Sequence, residues 1–364
     1  MVLLTRKLHQ RKERVMEAVV YQGPGRIELC ERPDPEPRQE NLIADVICCA
    51  ICGSDLKLAT RGNPRFSAGR IIGHEMVGTL SHVGRHVDGF SPGDRITLAT
   101  TVGCGKCAHC QRGLSNLCED AVRIGSDSDG AFAPKVAIPG IAARHGNVVK
   151  VPDEVPTEQA ALCEPLSCAI NAQEIAGLRS GHRVVIIGGG PLGALHGQLA
   201  LAAGAEKVMI TQRSEPRLSM LRRMSGIIAI NGANENVEQR VLAETDGLGA
   251  DVVIVSGPTP EAHQQALKLT RKGGTVSLFA SLSPDEAVVG FNSRDIHYGE
   301  RRIAGSSDSR PEHVRKAVEL LARGELDVGP VITHKMPLQE IHRGLELMKK
   351  KESFKVLLQP RAVG

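Results

Sequence analysis

The chain has 364 residues, 41% of them hydrophobic, an ordinary share for a folded protein in a length that suggests roughly two domains. It carries no Trp, two Tyr and six Phe, too few for base stacking, and its formal net charge of +4 is spread out, so neither nucleic acid nor a membrane surface is an expected partner. No apolar run reaches the ~20 residues of a bilayer span, and ten cysteines without a secretion signal point to a reducing, cytoplasmic setting where they serve a metal or catalysis.

Residues 1–15 are basic, with an apolar part too short for a signal, and are expected to be a dispensable extension. From 17 to 99 the pattern is β. Short alternating runs over 17–21, 26–31, 41–50, 76–83 and 94–98 are broken by Gly, Pro and Asp, and Pro33, Pro35 and Pro37 stiffen one loop. This predicts an antiparallel, partly closed β unit with its chemistry on loops. A Cys-rich lobe follows at 103–118, then short strands over 122–152. A helical pattern over 158–176 crosses to the next unit.

Val184-Val185-Ile186-Ile187 reads as a buried parallel strand. Gly188, Gly190 and Gly193 follow at G-x-G-x-x-G spacing, then an apolar-periodic helix ending near Gly204 and a second strand over 207–211. In a dinucleotide site the first glycine makes the tight turn, the second admits the pyrophosphate, and the third lets helix pack on strand. The bland alternative is a tight turn with no nucleotide. Helices over 215–224, 236–245 and 261–269 alternate with strands near 227–230, 251–255 and 275–279, which predicts a doubly wound parallel sheet. Past Arg302 the alternation stops. Helices over 312–323 and 338–349 and strand-like runs at 331–334 and 354–358 are expected to return to the first unit.

Cys104, Cys107, Cys110 and Cys118 sit in C-x-x-C-x-x-C-x7-C order, suited to one tetrahedral zinc with no open position; an iron–sulfur cluster is the rival. A second set is scattered: Cys52 in C-G-S-D, His74-Glu75 after Gly73, and Glu164 in C-E-P-L. Together they offer the S, N and O ligands of a catalytic zinc. Singly Cys52 reads as a small core residue, His74 as a satisfied polar residue and Glu164 as a helix cap or surface charge.

The run Gly73-His74-Glu75-x-x-Gly78-x5-Gly84-x-x-Val87 resembles the zinc signature of the medium-chain dehydrogenase/reductase superfamily, and the order of units resembles that family from about residue 16 to 359. Cys52-Gly53-Ser54-Asp55 and Glu164-Pro165-Leu166-Ser167 are similar to its sorbitol and threonine dehydrogenase branch. The resemblance implies an α/β fold: a Rossmann doubly wound parallel sheet over 165–301, plus a β-rich GroES-like catalytic domain over 16–164 and 302–364. It implies two zinc ions per subunit. One is held by Cys52, His74 and Glu75, with Glu164 as an exchangeable or water-linked ligand, and one by the four-Cys lobe. The reaction implied is hydride transfer between a secondary alcohol (polyol, sugar, sugar phosphate or cyclitol) and a nicotinamide nucleotide. Threonine-like amino alcohols are the alternative, and a non-catalytic zinc scaffold or nucleic-acid binder is the competitor from another class.

Ser54 matches the family's relay hydroxyl, but Lys57 stands where the family usually has His. It either replaces the imidazole or meets an anionic substrate group, or it is simply exposed. The nucleotide contacts implied are Gly188, Gly190, Leu192, Gly193, Gln212, Arg213 and Arg217. Gln212 stands where NAD-specific members carry an acid and cannot repel a 2′-phosphate. Arg213 can stack on adenine or pair with that phosphate, and the loss of an acid beside a gained Arg favours NADP(H) over NAD(H). A homodimer or homotetramer is expected from the family.

Overall fold

Asn41–Ala50, the longest early β run, is the hub of the first unit. The computed structural model, which describes residues 14–64 and 66–360, pairs it antiparallel with Glu75–Val83 on one side and with Lys355–Gln359 on the other. The sheet continues through Arg95–Leu98 to Val148–Lys150 at one edge and Ile332–Pro337 at the other, and Lys135–Pro139 pairs with the first half of the hub. Val15–Gly23, Arg26–Pro33 and Arg70–Ile71 form a second, three-stranded sheet. The extension expected over 1–15 lies outside the described residues up to 13, and Val15 already begins a strand. Inward-facing residues such as Leu42, Leu80, Phe132 and Leu345 fill one apolar core.

The second unit is a six-stranded parallel sheet. Its strands run in the order Ile227–Asn231, Lys207–Gln212, Arg183–Ile187, Ala250–Val255, Thr270–Leu278 and Arg302–Gly305. Side chains alternate across it. Val184 and Ile186 enter the core beneath helices Cys163–Ile175, Pro191–Ala202 and Pro311–Ala322, and Val185 and Ile187 enter the core on the opposite face with helix Pro260–Leu269. Burial on both faces is why these strands read as continuous apolar runs.

The structure departs from expectation in several places. The helix expected over 158–176 is two helices, Thr157–Ala160 and Cys163–Ile175. Pro165 has no N–H to donate four residues back and its ring would meet the carbonyl of Ala161, so a new helix must begin just ahead of it. Arg302–Gly305, expected to open the return to the first unit, is the edge strand of the parallel sheet, paired from Thr275↔Arg302 to Leu278↔Gly305. The return therefore begins beyond Gly305. Four helices, Gly53–Arg61, Ala108–Gln111, Gly140–Arg144 and Ser293–Gly299, stand where none was expected. Among the described residues no helix is long and apolar enough to cross a membrane.

Candidate active site

Sheet register builds the first ligand group. Ala50 lies opposite Glu75 and Cys49 opposite Met76, so Cys52, just past one strand end, meets His74, just before the other. Cys52 precedes helix Gly53–Arg61, and its N–H donates to Asp55 Oδ2 at 2.8 Å. The Asp of C-G-S-D thus pins the thiol's backbone. Gly73 turns the chain into His74 with φ +93°, and a Cβ there would lie 2.5 Å from Phe132 Cδ1. One sulfur, one imidazole nitrogen and one carboxylate oxygen, from Cys52, His74 and Glu75, then lie within 4.8 Å of one another. That donor set fits a zinc ion. Burial works against a charge on His74. The Cys52 thiolate, as charge and as hydrogen-bond partner, and then Asp55 and Glu164 outweigh it and hold the imidazole well above its ordinary range.

Glu75 is not a free ligand. Lys355, which opens the closing strand, donates to both its carboxylate oxygens at 2.5 Å, with both side chains buried. The register Leu357↔Ala50 and the bond from Ile51 N–H to Val356 O bring that lysine in. Glu164 sits in the first turn of its helix, in an adjoining group with Cys168 and Asp308 whose ligand atoms also lie within 4.8 Å of one another. Burial, chiefly, pushes its carboxyl up to about 7. His74 and Lys355 oppose the shift, while Glu75 and Asp308 add to it.

Both groups line one cleft of about 950 Å³ between the two units. Ser54 and Lys57 line it from helix Gly53–Arg61, both exposed, and Leu192, Ser256 and Pro258 line it from the second unit.

On that second unit the glycine turn has the shape a dinucleotide needs. Gly188 takes φ +106°, and a Cβ on Gly193 would run into Gly188 O. Around Gly190 the nearest atom to such a Cβ is Arg217 Nη1 at 3.6 Å. Helix Pro191–Ala202 starts there with its first N–H groups unbonded within the helix. Gln212 folds its Oε1 onto the N–H groups of Arg213 (2.7 Å) and Ser214 (3.0 Å). Arg213 is exposed beside it. Arg217 is half-buried, with Nε lacking a partner, and burial lowers its pKa.

The four lobe cysteines also converge within 4.8 Å. Cys107 Sγ and Cys118 Sγ are 3.8 Å apart, and a tetrahedral zinc with ~2.3 Å bonds has S···S edges of about 3.8 Å. The space suits one ion and not a cluster of iron and sulfide. Backbone N–H groups of Cys104, Cys107 and Cys110 point at the sulfurs at 3.3–3.5 Å. Those of Lys106 and Cys107 lower Cys104 to about 7.

Lys355, Asp55, Cys168 and Asp308 were not foreseen. Lys355 had a signal, as the one charge inside the apolar run 354–358. Asp308 had none, because it depends on where a sheet edge ends.

Residues 38–153 match the family described as alcohol dehydrogenase GroES-like domain, and residues 191–323 match zinc-binding dehydrogenase. An L-threonine 3-dehydrogenase of Pyrococcus horikoshii is 32% identical over 94% of this chain and 98% of its own length. A sorbitol dehydrogenase of Halalkalibacterium halodurans is 33% identical over 95% of this chain and 99% of its own. A Sinorhizobium meliloti 1021 protein crystallised bound to NADP shares the fold with a TM-score of 0.86 and 29% identity, over 96% of this chain and 100% of that one.

Proposed function

The chain belongs to the zinc-dependent medium-chain dehydrogenase/reductase superfamily, and we propose that it moves a hydride between a secondary alcohol and NADP(H). The alcohol is carried on a polyol, sugar, sugar phosphate or cyclitol. The observation that carries this reading is the meeting of Cys52, His74 and Glu75 in a cleft whose far wall includes Leu192 of the glycine turn, Ser256 and Pro258. A non-catalytic zinc scaffold or nucleic-acid binder would have no use for that ligand set.

Zinc bound there supplies the charge that favours ionisation of the substrate hydroxyl, and the nicotinamide supplies the hydride acceptor. Cys52 and His74 hold the metal, and Glu75 or Glu164 provides the oxygen. Glu75 does so only in competition with Lys355, which makes Glu164 the more available of the two. Ser54 takes the released proton toward solvent. Lys57, one helical turn on, extends the relay or meets an anionic group of the substrate. The four lobe cysteines hold a second, structural zinc. At the adenosine end Gln212 presents no charge to a 2′-phosphate and the exposed Arg213 supplies a cation beside it, whereas Arg217 reaches toward Gly190 of the glycine turn. We place the protein in the cytoplasm as a homodimer or homotetramer. The nearest second reading is a threonine-type amino-alcohol dehydrogenase, favoured by the relatives of that name.

Comparing kcat/KM with NADP⁺ and NAD⁺ over polyols, cyclitols and amino alcohols tests the proposal. The expected result is turnover of a polyol-type secondary alcohol with NADP⁺ preferred. Preference for NAD⁺ would overturn the cofactor assignment, preference for threonine-like substrates the substrate class, and no turnover of any alcohol by zinc-loaded protein the reaction.

A further inference from the structure

The cleft has a wall that the hydride-transfer reading leaves unused. Between the edge strand Arg302–Gly305 and helix Pro311–Ala322 the chain passes Glu164 and Cys168, and Ser306, Ser307 and Asp308 line the cleft there. This stretch is pinned from both units. Asn116 of the Cys lobe donates to Ser307 O at 2.9 Å, and Asn171 donates to Asp308 O at 2.9 Å. Asp308 itself takes a left-handed φ of 59°. Its Oδ1 accepts from Ser309 N–H at 2.6 Å, and its Oδ2 accepts from the Thr101 hydroxyl.

The carboxylate therefore cannot swing away, yet each oxygen keeps a lone pair for another donor. Among the described residues no cation pairs with it. Ser306 Oγ, two residues earlier, is buried with no hydrogen-bond partner among the described residues. The oriented acceptor lines the same cleft as Cys52, His74 and Glu75, in the group it forms with Glu164 and Cys168.

We propose that Asp308 is the specificity-determining residue of the cleft, accepting a hydrogen bond from a hydroxyl or ammonium on the carbon next to the reacting carbinol. It thereby selects 1,2-diols and 1,2-amino alcohols over simple secondary alcohols. The inference rests on the hydride-transfer reading. A substrate that lacks the neighbouring donor covers the carboxylate with apolar atoms and leaves it short of a partner. A hydrogen bond to a charged group discriminates by about ten- to a hundredfold.

The test is steady-state kinetics of the zinc-loaded protein on butan-2-ol, butane-2,3-diol and 3-aminobutan-2-ol. Wild type is compared with Asp308→Gly, which removes the carboxylate, and Asp308→Asn, which removes only its charge. Both residues tolerate the left-handed backbone, so neither adds strain. In the wild type the kcat/KM ratio of the better bifunctional substrate to butan-2-ol should be about ten to a hundred. In Asp308→Gly that ratio should collapse toward one. If the donor is a hydroxyl, Asp308→Asn keeps part of the diol ratio; if it is an ammonium, the amino-alcohol ratio falls almost as far as in Asp308→Gly. Equal proportional loss on all three substrates, or an unchanged ratio in Asp308→Gly, would overturn the assignment. A wild type that turns over a polyol or cyclitol but none of the three would overturn the Asp308 assignment alone, and one that turns over no alcohol with either nucleotide would overturn the hydride-transfer reading as well.

Discussion

Glu75 and Lys355 bury opposite charges against each other, with side-chain exposures of 0% and 2%. Such a pair gains little over an apolar substitute, but removing one partner strands the other charge in a dry interior, at a cost of about 3–5 kcal/mol. Lys355→Met should therefore destabilise the metal-free protein by about that amount in urea, and Glu75→Gln combined with Lys355→Met should recover much of the loss. A double variant no more stable than the single one would mean that the ion pair is not what holds this corner together. At this scale the candidate ligands Cys52, His74 and Glu75 were legible through resemblance, carried by the C-G-S-D run and by the glycine spacing around His74 and Glu75. Their consequences were not. Whether Glu75 is free for a metal depends on a lysine 280 positions away, and no local pattern connects the two.

Helices and strands were read well where burial imposes a strict period and less well where it does not. Four of the six strands of the parallel sheet came through almost to the residue, whereas Thr270–Leu278 begins five residues before the expected 275 and Arg302–Gly305 was not expected in this sheet. Helix Gly53–Arg61 did not come through, since its exposed face and few buried positions (Asp55, Leu58) leave a weak pattern. The break before Cys163 was available in Pro165 and was passed over in favour of a continuous period. That break matters, because it puts Glu164 in a first turn facing the cleft.

Helix Pro191–Ala202 carries a different cost. His196 lies fully buried on it, with Gln173 Nε2 at 3.3 Å from its Nδ1, its ring edge-on to Phe279 and its Nε2 without a partner. Burial drives its pKa from 6.5 down to about 3. Between those values the unfolded chain binds a proton that the folded chain does not. Stability is thus full above about 6.5 and is lost as the pH falls toward 3. His196→Met should flatten the fall in unfolding free energy over this range by about one proton per chain. Equal slopes for variant and wild type would show that folded His196 takes up its proton at the same pH as in the unfolded chain, so that burial does not keep it neutral.

The whole molecule works because two differently built units share one core and one cleft. Helix Cys163–Ile175 packs with Cys48, Ala50 and Val77 of the first unit and with Val184 and Ile186 of the second in a single apolar cluster. The wall carrying Asp308 is likewise tied to the Cys lobe by Asn116 and to that helix by Asn171. The alternation of strands with helices made the second unit visible in the sequence. The cleft was visible only through resemblance, because its walls are brought together by contacts between the units.

Zinc content and reduction of NADP⁺ by a secondary polyol, measured together on wild type and Cys52→Ser, address the central claim directly. The account predicts about two zinc ions per chain and turnover in the wild type. It predicts that Cys52→Ser retains the lobe zinc and NADPH binding but loses the cleft zinc and nearly all turnover. A Cys52→Ser protein that turns over at the wild-type rate with only the lobe zinc bound would contradict it.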